Sequence, residues 1–191
     1  MLDPMDGGPV GKFILSGIIS VFVLALALMA FAMLGFFPTR ANAAPPRLEG
    51  RVANQALDAS MQRHAPRVTN PLPPSDQNLI DGLKIYYVNC SLCHGGLDRK
   101  PSPLAKNLYP PAPNLISDPP DDPEWQIFFT VRTGIRYTGM PAWDGVIPDQ
   151  DLWKVTSFLS HLKKLPPAVQ DYWRTTFNGD PATAADENEK H

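Results

Sequence analysis

Apolar and polar residues divide the chain into three stretches of different texture. From Phe13 to Phe37 runs a 25-residue stretch without a charge, broken only by Ser16, Gly17, Ser20 and Gly35. As a helix, at about 1.5 Å per residue, it would span roughly 37 Å, enough to cross a bilayer with some tilt. From Pro38 to Pro74 the pattern is polar and punctuated by Pro45-Pro46, Pro66, Pro71 and Pro73-Pro74. That composition predicts a partly extended, semi-rigid tether. Within it, a short helix over 54–64 has only Leu57 and Met61 as a large apolar pair at i, i+4 spacing.

Helical periodicity returns at Ser75. Ser75 or Asp76 can cap a helix carrying Leu79, Ile80, Leu83, Tyr86 and Tyr87. A second helix follows over 124–133, with Asp122 as its cap, Pro123 at its first position and Gly134 at its end. A third starts near Pro148, with Asp149 and Asp151 favourable in its first turn and Leu152, Val155, Phe158, Leu159 and Leu162 as its apolar stripe. Lys163 and Lys164 close it, and Pro166-Pro167 forbid continuation. A further short helix fits Val169 to Phe177, and the small, acidic residues beyond it predict disorder. No stretch alternates like a strand, so the fold class is all-α with long, Pro-rich connections. The organisation expected is a tail over 1–12, a transmembrane anchor over 13–37, a tether over 38–74, a folded domain over 75–177 and a disordered tail over 178–191.

Composition narrows the function. The 22 prolines against 13 glycines agree with irregular connections. A formal net charge of −2 gives no ground for nucleic acid as a partner. A cleaved signal peptide competes with the anchor, because Ala41-Asn42-Ala43 resembles a cleavage site. The anchor is favoured, since signal h-regions run only about 7–15 residues and Asp3 and Asp6 oppose Lys12 in the n-region. Arg40, Arg47 and Arg51 follow the apolar run, and counted alone they place that flank in the cytoplasm.

Both cysteines lie in Cys90-Ser91-Leu92-Cys93-His94. Structural zinc needs about four ligands, and His64, His161 and His191 are scattered singly. A thioredoxin-like pair needs a βαβ pattern that the flanks lack. The remaining reading of CxxCH is covalent haem attachment, with His94 as the iron ligand. Cysteines at i and i+3 on one helical turn offer both sulfurs to one side. An iron-bound imidazole usually donates its other N–H to a carbonyl, and Pro110-Pro111-Ala112-Pro113 is a candidate source. Of six methionines only Met140 lies in the folded domain, in the loop Tyr137-Thr138-Gly139-Met140-Pro141-Ala142-Trp143. It is the candidate sixth ligand, with core filling as the bland alternative and His161 as its rival. A buried macrocycle would also fill out a core that is thin for about 100 residues.

With these residues in view, Ser75 to Leu165 resembles a class I c-type cytochrome domain of the kind found in bacterial respiratory chains. Gly82 and Tyr86 resemble the family's close-packing glycine and first-helix aromatic, Phe158 its last-helix aromatic, and Thr138-Gly139-Met140-Pro141-Ala142-Trp143 its axial-methionine loop. The resemblance implies one covalent haem c held by Cys90 and Cys93, with iron between His94 and Met140, and no catalytic residues. Both axial positions are then filled, so the expected role is one-electron transfer rather than enzymatic chemistry, and thioether ligation raises the potential relative to bis-His iron. Leu92, Ile135, Trp143 and Val146 are candidates for an apolar rim, either for docking or simply covering the haem. Covalent haem attachment is a periplasmic process in bacteria, so the domain is expected on the periplasmic face of the inner membrane, against the basic-flank count. Expected donors are a quinol-oxidising complex or a dehydrogenase, and expected acceptors an oxidase or reaction centre. The chain would act as a tethered shuttle or as a subunit of a larger membrane complex. A peroxidase-like haem enzyme or a haem sensor is the alternative, and each needs a labile sixth ligand.

Overall fold

A computed structural model describes residues 9–178. The expectations for residues 1–8 and for the acidic tail over 179–191 fall outside the described residues. The chain divides into two compact units, with the boundary after Arg40.

The first unit is one helix, α1, over Pro9–Met33. Every described side chain on it is exposed, including Phe22, Leu24 and Leu28. An apolar helix with no buried face is suited to lipid rather than to a water-bathed surface. Among the described residues it is the one helix long and apolar enough to cross a membrane. It stops four residues before the uncharged run does. Gly35 turns the backbone at φ +78°, and Phe36 folds back to stack on Phe31 at 5.2 Å between ring centroids.

The second unit is helical throughout, with no strand among the described residues: α2 Arg47–His64, α3 Asp76–Asn89, the short α4 Ser91–His94, α5 Glu124–Thr133, α6 Asp149–Ser160 and α7 Pro167–Phe177. Ser75 caps α3 as expected, its hydroxyl accepting from the Asn78 N–H at 3.3 Å. The centre of the unit is the crossing of α3 with α6. Leu79, Leu83 and Tyr86 meet Leu152, Val155 and Phe158 there, all essentially inaccessible to water. Two helices come this close because Gly82 has no side chain. A Cβ at that position would sit 2.7 Å from the Lys154 carbonyl carbon and 2.9 Å from the Phe158 Cβ. On the other flank of α6, the Trp153 and Phe128 rings lie parallel 3.8 Å apart and fasten α5.

Several expectations change in detail. Residues 47–64 form one 18-residue helix, not an extended tether with a short helix over 54–64. The polar sequence hides this because α2 gains its stability from docking: Met61 is buried and receives the Thr130 hydroxyl, while the Arg67 guanidinium lies over the Trp125 ring. Pro123 stands at the cap position rather than inside α5, and Asp122 accepts from the Gln126 side chain at 2.7 Å instead of capping the backbone. Helix α6 ends at Ser160, before a separate 3-10 turn over Leu162–Lys164. The closing helix α7 begins at Pro167 and belongs to the core, although the family resemblance stops before it. Trp173 is buried, stands 5.9 Å from the Phe158 ring and donates to the Leu97 carbonyl at 3.0 Å.

Candidate functional site

The CxxCH turn leaves the end of α3 almost without a break. Cys90 closes α3, its N–H bonding to the Tyr86 carbonyl at 2.8 Å, and its carbonyl then receives the N–H groups of Cys93 and His94. This single turn of helix keeps both sulfurs and the imidazole on one side. Gly95 follows at φ +94°, where the chain must reverse and where a side chain would meet Asn114. Asn114 in turn receives the N–H groups of Ile116 and Ser117 on its Oδ1, and the Leu115 N–H bonds to the His94 carbonyl. The Pro-rich segment is thereby tied back onto the CxxCH turn.

That tie places the Pro113 carbonyl 3.0 Å from Nδ1 of His94. A carbonyl only accepts, so the ring proton is on Nδ1 and the lone pair is on Nε2. Burial holds the imidazole pKa below its usual value, partly opposed by the hydrogen bond to Pro113, so the ring is neutral. Burial also pushes the Cys90 thiol up to about 12, with the nearby Cys93 adding to the shift. The two cysteines do not form a disulfide with each other. Tyr86, fully buried, donates its hydroxyl between the carbonyls of His94 (2.9 Å) and Gly95 (2.8 Å). Desolvation raises its pKa, so the phenol is a donor throughout the physiological range. The family resemblance pointed to Tyr86 as a packing aromatic of the first helix; its role as a brace for the turn needs the fold to be seen.

Met140 comes from the far side. Its loop leaves α5 through Gly134 at φ +65°, a conformation open to glycine. A Cβ there would lie 2.6 to 2.8 Å from the backbone of Met140, Pro141 and Ala142. The loop is closed on itself. The Ile135 N–H reaches the Met140 carbonyl, Thr138 Oγ1 donates to the Ile135 carbonyl at 2.7 Å, and the Met140 N–H donates to Thr138 Oγ1 at 3.1 Å. Arg132 secures the exit, its carbonyl receiving the N–H groups of Trp143 and Asp144 and its guanidinium pairing with Asp144 and Asp149 at 3.2 and 3.3 Å. Neither Gly134 nor Arg132 was evident from the sequence as part of this site; a helix-ending glycine six residues before the methionine is the only trace.

The two sides face one cavity of about 430 Å³. Cys90, Cys93, His94 and Met140 all line it, between apolar walls that include Ile127, Val131 and Leu159. Of the four expected rim residues, Ile135 and Trp143 line the cavity, while Leu92 and Val146 are about two-thirds exposed. His161 does not line it; its Nδ1 donates to the Ser157 carbonyl at 2.8 Å at the end of α6.

Two adjacent thiols, a neutral tautomer-fixed imidazole and a thioether around an apolar cavity form a donor set that fits a haem c. Residues 77–159 match the family model described as cytochrome c oxidase, cbb3-type, subunit III. This part of the chain is a class I c-type cytochrome domain. The match covers less than half of the 191 residues. Comparison with the curated proteins and with the solved structures gives no match. A cytochrome domain of this type implies haem c and haem-based electron transfer. The cytochrome domain lies wholly in the second unit, and α2 and α7, outside the matched segment, complete its packing.

Proposed function

We propose that the chain is a one-electron carrier in which Cys90 and Cys93 hold a single haem c by thioether bonds and His94 and Met140 supply its axial ligands. The observation that carries this reading is the convergence of those four side chains on one apolar cavity, although Met140 is 46 residues from His94 in sequence. With only two cysteines in the chain, one attachment is available. When bound, the haem supplies a ferrous/ferric couple, and a His/Met pair sets it at a relatively high potential.

The residues around it prepare that role. Pro113 fixes the His94 tautomer so that Nε2 points its lone pair to the cavity side, while Tyr86 holds the turn beneath. The closed loop between Gly134 and Pro141 presents the Met140 sulfur with little freedom to move. A site held on both sides changes little between two charge states, which favours electron transfer over bond chemistry. The peroxidase-like and sensor readings both require Met140 to leave, and the hydrogen bonds on either side of it argue against that. Leu92 and Val146 are suited to a small, transient contact with a redox partner.

The apolar helix α1 supports anchoring in the bacterial inner membrane, with the cytochrome domain in the periplasm where covalent haem attachment takes place. The matching family is described as an oxidase subunit, which supports a fixed place in a larger redox complex; a leashed shuttle between complexes is the second form. In either form electrons come from a quinol-oxidising complex or a dehydrogenase and pass to an oxidase or reaction centre, in a respiratory or photosynthetic chain. Purification in mild detergent separates the two forms, since a stoichiometric complex defeats the free shuttle. For the site itself, the optical spectrum of the oxidised protein is expected to carry a weak far-red band that Met140→Ala removes. High-spin ferric haem in the unaltered protein, or a band that survives Met140→Ala, would overturn the assignment.

A further inference from the structure

Helix α2 has two faces, and only one of them is used. Leu57 and Met61 are turned toward the cytochrome domain, the first partly and the second fully buried. At about 100° per residue, Leu48 and Val52 lie on the opposite side of the helix. Leu48 is 72% exposed and Val52 57%, and Ala56 and Ala59 continue the same stripe, also exposed. Arg47 and Arg51 flank it one helical turn apart. Neither they nor Arg40 forms an ion pair among the described residues. Of the two acidic residues of α2, Glu49 accepts from the Tyr109 hydroxyl at 2.6 Å, and Asp58 is close enough to Asp122 of the cytochrome domain to act on its carboxyl. The outer face of α2 is therefore a narrow aliphatic stripe edged on one side by two arginines that form no ion pair among the described residues.

We propose that this face of α2 lies on an anionic phospholipid surface, with Leu48 and Val52 entering the headgroup region and Arg47, Arg51 and Arg40 meeting lipid phosphates. The inference rests on the reading of α1 as a membrane anchor. Only 13 residues separate Met33 from Arg47, so the chain itself keeps α2 within reach of the bilayer. A stripe of small aliphatics with a basic edge matches the chemistry of interfacial helices. A protein interface of this kind would centre on aromatic or methionine side chains, and the outer stripe has none. The proposal also accounts for the basic flank that conflicted with a periplasmic domain. Those arginines act at the lipid surface of the side they are on and do not report the orientation of the helix.

The test uses the full haem-loaded chain in vesicles, spin-labelled at Leu48→Cys, Val52→Cys and, on the other side of the helix, Asn54→Cys. The unsubstituted chain labelled in parallel subtracts any signal from Cys90 and Cys93. With one-third anionic lipid, the labels at 48 and 52 are expected to collide with oxygen in preference to a water-soluble nickel reagent, and the label at 54 the reverse. Purely zwitterionic vesicles should weaken the difference. Arg47→Gln with Arg51→Gln should reduce the membrane-seated population about fivefold per arginine. Labels at 48 and 52 that stay as open to the nickel reagent as the label at 54, with anionic lipid present, would overturn the proposal. So would labels shielded from both reagents whatever the lipid charge, which would mean that protein covers the stripe. Alkaline extraction of the same vesicles reads the anchor separately: release of the chain defeats the anchored reading, whatever the labels report.

Discussion

Replacing Gly82 with alanine adds one methyl group at the point where α3 and α6 touch, and the consequence can be worked from the packing. The new Cβ would lie 2.7 Å from the Lys154 carbonyl carbon and 2.9 Å from the Phe158 Cβ. It would meet the Lys154 carbonyl oxygen more closely still, and since nonbonded heavy atoms are comfortable only at about 3.5 Å, the helices must part by about 1 Å. The obstacle is backbone, which cannot swing aside as a side chain can. Parting α3 from α6 loosens the whole contact, including the Tyr86 and Phe158 rings, whose centroids are 5.8 Å apart. Overpacking of this kind costs about 3 kcal/mol or more, and alanine's better helix propensity returns up to about 1 kcal/mol, leaving about 2 kcal/mol of destabilisation. For a unit of this size that is a fall in Tm of roughly 5–10 °C. Gly50, in α2, is the control, since a Cβ there meets nothing within 4 Å. Gly50→Ala should stabilise by about 0.5–1 kcal/mol. Thermal and denaturant unfolding of both variants, followed by far-UV circular dichroism on the haem-loaded protein, decides the matter. If Gly82→Ala unfolds with the wild type, or gains stability as Gly50→Ala does, the close-contact account of this crossing is wrong.

Further outcomes follow from the same geometry. Gly134→Ala combines a left-handed φ with contacts of 2.6 to 2.8 Å to the Met140 loop; the far-red band should weaken or vanish while helix content is retained, and an unchanged band would show that the loop does not depend on this glycine. Tyr86→Phe leaves the Gly95 carbonyl without its donor and the His94 carbonyl with only the Leu115 N–H, and should cost about 1–3 kcal/mol, measured by denaturant unfolding. Asp122 has its carboxyl pKa raised, first by desolvation and then by Asp58 and Asp121. A raised carboxyl pKa means that the charged form is less welcome in the folded state, so the group weakens the fold above its unfolded pKa and not below it. Asp122→Asn should therefore stabilise the domain modestly at neutral pH, with the gain disappearing as pH falls through the acid range; a gain that persists into strong acid would contradict this.

The pattern of residues along the chain already contained the helical class, the apolar N-terminal helix and the residue types that line the cavity. These are local properties. A CxxCH turn, an uncharged run of 25 residues and a glycine four positions before an aromatic each carry their meaning within a few neighbours. Helix α2 was not legible in this way, because its sequence is polar and its only buried residue, Met61, is matched by partners in α5. Nor was the place of Trp173 in the core, since its partner Leu97 is 76 residues away. The site divides in the same manner. Residue types named Cys90, Cys93, His94 and Met140 as the candidates, and the cluster of prolines was suspected of holding a carbonyl for the histidine. Only tertiary structure selected Pro113, bent Tyr86 under the turn, and gave Gly134 and Arg132 the task of bringing Met140 to the cavity. The reason is physical: which atoms a residue can offer is set by its covalent structure, but where they are offered depends on contacts closed between distant segments, and those exist only once the chain has folded.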